Sequence, residues 1–479
     1  MAIRRGEEYL AGLRDEREVW LEGKRVDDVT THPDLAACAR SLAEVYDLQH
    51  DPSAQDILTM VLPGGERVSR GFAEPRSVED LVARRKMIEF LMRRSGGTTG
   101  RLPEYMAALM VGLYDVRNIL GQVDPGFADN VAEYFDYIRG NDLALTHSFA
   151  DAPRDGRLSR DKFENLRVVE ERADGVVIRG VKSVATLAPY ADEYLALAPM
   201  RPGLAADEIV YFAVPMATRG LHVYCRQPLA RFNRADHPLA WRFDEMDAWV
   251  VFDNVFVPKK RVFYLHRTEG HRDLLNQILS WAFYHILIRM ACKAEVLAGI
   301  GAAITDYLGK EQLPTTQLML CDLYGYAETL KAFIIAAEQD PVESPTGLLI
   351  PNPTQITLGR IFGVDRHPDV LQIIRELSGS GILMAPGSGE LDNPDISSDV
   401  QRYLKGPDAR AGERFQLLKL AWDYACESFG SRQLLFEMHN AGAQQATKQR
   451  LVGMYDVAAH VSLAKQLAGI GAAREEGRA

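Results

Sequence analysis

Cysteine is scarce in this chain and scattered where it occurs. Cys38, Cys225, Cys292, Cys321 and Cys426 form no CxxC pair, and five is an odd count. Neither a disulfide framework nor a zinc ribbon is expected from them, nor any other metal site. Long apolar runs are missing too. No stretch reaches the ~18 residues of a membrane span, and the opening MAIRRGEEYL has no signal-peptide core, so a cytoplasmic protein is expected. Positive charge is in deficit: 55 Lys and Arg face 66 Asp and Glu, for a formal charge of −11. Nucleic-acid and anionic-membrane surfaces need clustered cations, and neither partner is expected. Glycine never falls into the GxGxxG spacing of a dinucleotide loop. GIGAA at Gly299, its copy at Gly469 and GSGIL at Gly379 read as helix-packing glycines, leaving no nicotinamide site in the chain.

What is present is an ordinary globular balance, 47% hydrophobic and 25% charged. A length of 479 residues exceeds what one core supports. From Val78 to about Asn141 apolar residues recur at helical spacing, as in VEDLVARRKMIEFLMRR. Near Leu166 the period changes to short β-branched and aromatic runs, VVIRGVKSVATLA, EYLALAP, EIVYFAVPM and AWVVFDNVFVP. After about Arg267 long helical periods return. The reading is α+β: an N-terminal helical domain (1–143), a central β domain (144–266) and a C-terminal helical bundle (267–479).

Two segments concentrate the chemistry. In GRLPEY, residues 100–105, Pro103 suits the first turn of a helix, which puts Arg101 just before it and Tyr105 inside that turn. A phenol oxygen bound there meets a guanidinium, a hydroxyl and the positive helix end. A phenol ionises only near pH ~10, yet its ring becomes far more nucleophilic as the oxygen gives up its proton. In LTHSFADAPRDGR, residues 145–157, His147 stands where helices give way to strands. An imidazole titrating near pH ~6.5 can take a proton from a phenol and return it.

These segments resemble the oxygenase component of the 4-hydroxyphenylacetate 3-monooxygenase family. So do residues 4–33, with Tyr9, Leu10, Leu13, Asp15, Arg17, Val19 and Trp20, and the runs PLAWRFDEMDAWVVFDNVFVPKKRVF (238–263) and FGSRQLLFEMHNAG (429–442). The resemblance implies an acyl-CoA dehydrogenase-like architecture with a central β-barrel and a C-terminal four-helix bundle. It also implies a two-component monooxygenase that hydroxylates a phenol ortho to its oxygen, using dioxygen and reduced FAD supplied by an NAD(P)H-dependent flavin reductase. Arg101, Tyr105 and His147 are then the catalytic and substrate-binding residues. The flavin falls to His147, Ser148, Phe149, Asp155, Arg157, Thr186, and Ala441, Gly442, Ala443 and Gln444 beside Asn440. A homotetramer is implied, with flavin sites near subunit contacts around residues 378–381.

The chain departs from the family pattern in places. Glu104 stands where the family has Asp, and Pro-Arg-Asp-Gly-Arg where it has Gln-Val-Asp-Arg. Pro199 and Met200 replace two hydroxyl residues that hold a substrate carboxylate, and neither side chain donates a hydrogen bond. A longer, tyrosine-derived or carrier-tethered phenol is therefore expected rather than a free arylacetate.

Three other readings compete. The carboxylates of RFDEMDAW, residues 242–249, are read as structural. His285 and Cys292 reproduce a spacing that resembles part of the iron–sulfur ligand set of 4-hydroxybutyryl-CoA dehydratase, but Cys38 is the one cysteine in the first helical region, and a cluster short of thiolates does not assemble. A non-catalytic scaffold of the same fold is expected to lose Arg101, Tyr105 or His147, and all three are present.

Overall fold

The amphipathic run from Val78 folds as the helix Val78–Arg94. Ser77 accepts from the Asp80 N–H, and the Asp80 carboxylate accepts from the Ser77 N–H, a reciprocal cap that fixes the helix start. Pro103 opens the next helix, Pro103–Asp115, as its position predicts. That helix is buried along nearly its whole length, and Pro125–Gly140 packs against it. The computed structural model describes residues 3–151, 157, 165–201, 203–229, 233–404, 411–440 and 442–470.

The expected barrel is corrected. Among the described residues the strands make two main open sheets, not a closed cylinder. One has six strands in the order Lys24–Val26, Glu18–Leu21, Leu221–Cys225, Asp247–Pro258, Gly175–Thr186 and Arg167–Arg172; the other runs Val262–Leu265, Val210–Pro215, Glu193–Ala196 and Leu145–Ser148. A backbone ladder does not join the edge strand Leu145–Ser148 to Gly175–Thr186. Instead the Thr146 hydroxyl donates to the Thr186 carbonyl at 2.7 Å and the Ser148 hydroxyl to that of Ser183. This corner brings His147 and Thr186 into one region. Two strands of the larger sheet come from the N-terminal segment, where Glu18–Leu21 pairs in parallel with Leu221–Cys225, so the first region is not wholly helical. Val19 and Leu21 point into the core while their neighbours do not, the alternation of a half-buried strand.

The C-terminal helices Ser280–Tyr307, Pro314–Gln339 and Pro353–Ser378 pack on one another, and Ala411–Ala425 lies against the first and third. Gly301 serves this packing: a Cβ there would stand 2.5 Å from Leu323 Cδ1. The last helix among the described residues, Ala458–Leu467, buries none of its residues and leaves Val461, Leu463 and Leu467 in the open.

Candidate active site

Arg101, Tyr105 and His147 come together. The Arg101 guanidinium carbon lies 4.2 Å from the centre of the Tyr105 ring. The Tyr105 ring stacks on the His147 imidazole at 5.9 Å with 18° between planes. Tyr105 and His147 are buried, and neither ring nitrogen of His147 has a hydrogen-bond partner among the described residues. Burial, reinforced by the charge of Arg101, holds the His147 imidazole well below its usual value, so it is neutral at physiological pH. Burial also pulls the Arg101 guanidinium below its ordinary range. A cation and a neutral base, both short of solvent, thus face one region.

The loop ahead of this helix is anchored by a carboxylate from the link between the short helix Ala240–Phe243 and the strand Asp247–Pro258. Glu245 Oε1 accepts the N–H of Gly100 at 2.6 Å and of Arg101 at 2.8 Å. Its Oε2 lies 3.4 Å from Arg432 Nη1, and Arg432 also donates twice to Asp247, at 2.7 and 2.9 Å. Arg432 belongs to the helix Ser428–Asn440. One turn on, the Phe436 ring meets the guanidinium carbons of Arg432 at 4.4 Å, Arg289 at 5.2 Å and Arg101 at 5.6 Å. Burial raises the Glu245 carboxyl, offset by Arg432. Burial works the same way on Asp247, yet Arg432 and Arg226 hold that carboxyl well below the usual range.

The other expected residues are distributed as follows. Thr186 pairs in register with Asp247 and donates its hydroxyl to Oδ1 at 2.7 Å. Ser148 is buried, and Phe149 sets its ring edge-on to His147 at 4.6 Å. Gly442 adopts φ +90°, and a Cβ there would stand 3.0 Å from Arg360 Nη2. Ala443 caps the helix Gln444–Met454, and the Gln444 amide donates to the Ile361 carbonyl at 3.4 Å. Arg157 is exposed. The Pro199 carbonyl lies 3.1 Å from His271 Nε2, and Met200 is partly buried against the core. Asp155 and Ala441 lie outside the described residues.

Sequence reading missed the support beneath this group. His285 sets its ring edge-on to Tyr105 at 5.2 Å and its Nε2 lies 3.1 Å from Glu104 Oε1, both side chains buried. Arg360 lies 3.6 Å over the Phe283 ring, and burial pushes its guanidinium down to about 9. Each comes from a helix distant in sequence, and no local spacing links it to GRLPEY. The nearest signal was RFDEMDAW, read as structural; its Asp244 and Glu245 are buried and its Asp247 is partly buried.

Residues 5–264 match the family model described as 4-hydroxyphenylacetate 3-hydroxylase N terminal, and residues 276–469 the one described as its C terminal. The FADH(2)-dependent monooxygenase TftD of Burkholderia cepacia is 31% identical over 446 residues, covering 91% of this chain and 87% of that protein. A Streptomyces globisporus monooxygenase of (3S)-3-amino-3-(3-chloro-4-hydroxyphenyl)propanoyl-[peptidyl-carrier protein SgcC2] is 33% identical over 464 residues, covering 93% and 86%. Among solved structures, the oxygenase component (HpaB) of 4-hydroxyphenylacetate 3-monooxygenase complexed with FAD and 4-hydroxyphenylacetate superposes with a TM-score of 0.92 at 30% identity, over 97% of this chain and 98% of that one. An archaeal 4-hydroxybutyryl-CoA dehydratase at 21% identity and a TM-score of 0.87, over 99% and 97%, shares the fold.

Proposed function

Because the chain belongs to the 4-hydroxyphenylacetate 3-hydroxylase family, we propose that it is the oxygenase component of a two-component monooxygenase. It adds one oxygen ortho to the hydroxyl of a 4-hydroxyphenyl substrate, using dioxygen and reduced FAD from a separate NAD(P)H-dependent flavin reductase. The observation that carries this reading is the convergence of the partly buried Arg101 cation with a buried Tyr105 and a buried, neutral His147, neither of whose nitrogens has a partner among the described residues.

The residues present fit a flavin. His147 Nδ1 and Nε2 and both amide atoms of Asn440 are buried without partners among the described residues, polar atoms that a bound polar ring system satisfies. Gly442, at φ +90°, leaves its backbone open to close approach. His147, Ser148, Phe149, Thr186 and the segment 440–444 would hold the group, with Asp155, Arg157 and Ala441 completing the expected set. Reduced FAD, when bound, activates dioxygen for transfer to the ring. The chain's own part is to bind the phenol, polarise it and move its proton. Arg101 stabilises the developing phenolate by charge, Tyr105 by hydrogen bonding, and His147 accepts the proton. The burial of Tyr105 and His147 keeps water from the reacting atoms.

Pro199 and Met200 offer no side-chain donor for a small carboxylate, and one relative acts on a phenol tethered to a carrier protein. A tyrosine-derived, extended or carrier-bound phenol is therefore the substrate class proposed. In the dehydratase reading His285 is a cluster ligand; here its Nε2 is engaged with Glu104. The three-domain division at 143 and 266, acyl-CoA dehydrogenase-like in plan, remains our reading, with Glu18–Val26 crossing into the central sheet. A homotetramer is proposed from the exposed apolar residues Leu318, Ile335, Leu463 and Leu467 on the C-terminal helices, and the cytoplasm, where NAD(P)H is at hand, as the site of action. No helix among the described residues is long and apolar enough to cross a membrane.

The test supplies chemically reduced FAD and dioxygen to purified protein with phenylacetate, phenylpropanoid, tyrosine and chlorophenol substrates, comparing kcat/KM. Catechol formation is expected, weakest on 4-hydroxyphenylacetate. No turnover of any phenol overturns the hydroxylase reading, and a clear preference for the free arylacetate overturns the role given to Pro199 and Met200. Light scattering that returned a fully active monomer would overturn the tetramer.

A further inference from the structure

We propose that Glu245 and Arg432 are positioning residues of the hydroxylation, acting through Arg101; this rests on the oxygenase reading above. Four hydrogen-bonded links join residues that are far apart in sequence. Thr186 Oγ1 donates to Asp247 at 2.7 Å, Asp247 accepts from Arg432 at 2.7 and 2.9 Å, Arg432 reaches Glu245 Oε2 at 3.4 Å, and Glu245 Oε1 takes the N–H groups of Gly100 and Arg101. One end lies at the strand expected to face the flavin and the other at the residue expected to face the phenol. Glu245 is 1% exposed, so its two amide bonds act in a medium that strengthens them.

The carboxylate grips peptide groups of the phenol-binding residue itself. The helix that carries Arg432 also carries Phe436, whose ring meets both Arg432 and Arg101. Gly100 fits this arrangement because a Cβ there would stand 2.2 Å from Phe436. The guanidinium of Arg101 is therefore set from two directions, its main chain by Glu245 and its plane by the rings of Tyr105 and Phe436. Misplacing such a group by a small distance loses rate without losing the fold.

The experiment is a double-mutant cycle between Glu245→Gln and Arg101→Ala in the full-length protein. The probe is 4-nitrophenol, whose phenolate has its own visible absorption, bound without flavin; catechol formed per dioxygen consumed is measured alongside. Gln keeps the shape of the side chain, removes the charge that fixes both amides, and turns an amide toward Arg432. Glu245→Gln is expected to weaken phenolate binding on the order of tenfold and to shift turnover toward hydrogen peroxide. In the Arg101→Ala background it should have no further effect, because its action passes through Arg101. Wild-type behaviour of Glu245→Gln, or effects that simply add to those of Arg101→Ala, overturns the proposal. If Glu245→Gln does not fold, Arg432→Lys, which keeps the charge and loses the two-point hold on Asp247, enters the same cycle and is judged by the same outcomes. A wild-type protein that converts no phenol defeats the oxygenase reading instead, and the binding cycle still decides the role of Glu245.

Discussion

Arg101 lies over the ring of Tyr105, its guanidinium carbon 4.2 Å from the ring centre. The two residues are therefore separable in one direction only. Tyr105→Phe keeps the platform and loses a neutral hydrogen bond, about 0.5–1.5 kcal/mol; Arg101→Ala loses a charge-assisted one, about 1.5–3 kcal/mol. The larger fall in kcat/KM is expected for Arg101→Ala, with reduced flavin still consumed and the oxygen released as hydrogen peroxide. Product and peroxide yields measure this. Loss of flavin binding in that variant would mean Arg101 serves a different site.

His147 should stay ready to accept a proton in weakly acidic solution. Burial and the neighbouring Arg101 hold its imidazole well below the ordinary value, so its neutral form persists through the range where a free imidazole, near ~6.5, becomes charged. Single-turnover hydroxylation is expected to be flat from about pH 8 to about pH 6, and His147→Ala to slow it on the order of 10²-fold. A rate that falls by half near pH ~6.5 would contradict the depressed value.

Stability should carry a separate signature from His367. Burial pushes this imidazole from 6.5 down to about 4. Between those values the unfolded chain binds a proton that the folded chain refuses, so its contribution is intact above about 6.5 and is lost as pH falls toward about 4. The shift corresponds to about 3 kcal/mol. Urea unfolding of wild type and His367→Gln across this window should show the wild type losing that amount relative to the variant. Parallel curves would contradict it.

Removing the charge of Glu437 should be costly. Arg289 donates to its two oxygens at 2.5 and 2.6 Å, and Lys293 to one of them at 2.5 Å, all three side chains buried. Glu437→Gln leaves two cations uncompensated, which costs about 3–5 kcal/mol and should lower Tm clearly. An unchanged Tm would mean the network is solvated.

Local periodicity carried most of the fold. Val78–Arg94 spans the run that announces it and Pro103–Asp115 starts at its proline, because caps and apolar spacing are local properties. The closed barrel was an expectation from the resemblance, and strand signals say nothing of closure; at the corner where the sheets meet, the hydroxyls of Thr146 and Ser148 bond across and the Ser183 N–H donates to the Ala150 carbonyl at 2.9 Å. At the site, GRLPEY and His147 were legible through resemblance. Glu245 was read only as structural, and its hold on the GRLPEY loop was not legible, because Gly100 and Arg101 lie more than a hundred residues away in sequence. His285 and Arg360 reach the site from distant helices, and no window of sequence contains both ends of their contacts.

The grip of Glu245 on the N–H groups of Gly100 and Arg101 has an evolutionary consequence. A carboxylate that holds peptide groups is blind to the side chain they carry. Position 101 is thus a socket: another residue can be fitted there without remaking the loop, and the loop delivers it to the same place. Position 100 has no such freedom, because Phe436 occupies the space any side chain would need. A library randomised at both positions and scored for folded protein should therefore return glycine at 100 and variety at 101, whereas the same library scored for hydroxylation should return Arg101 as well.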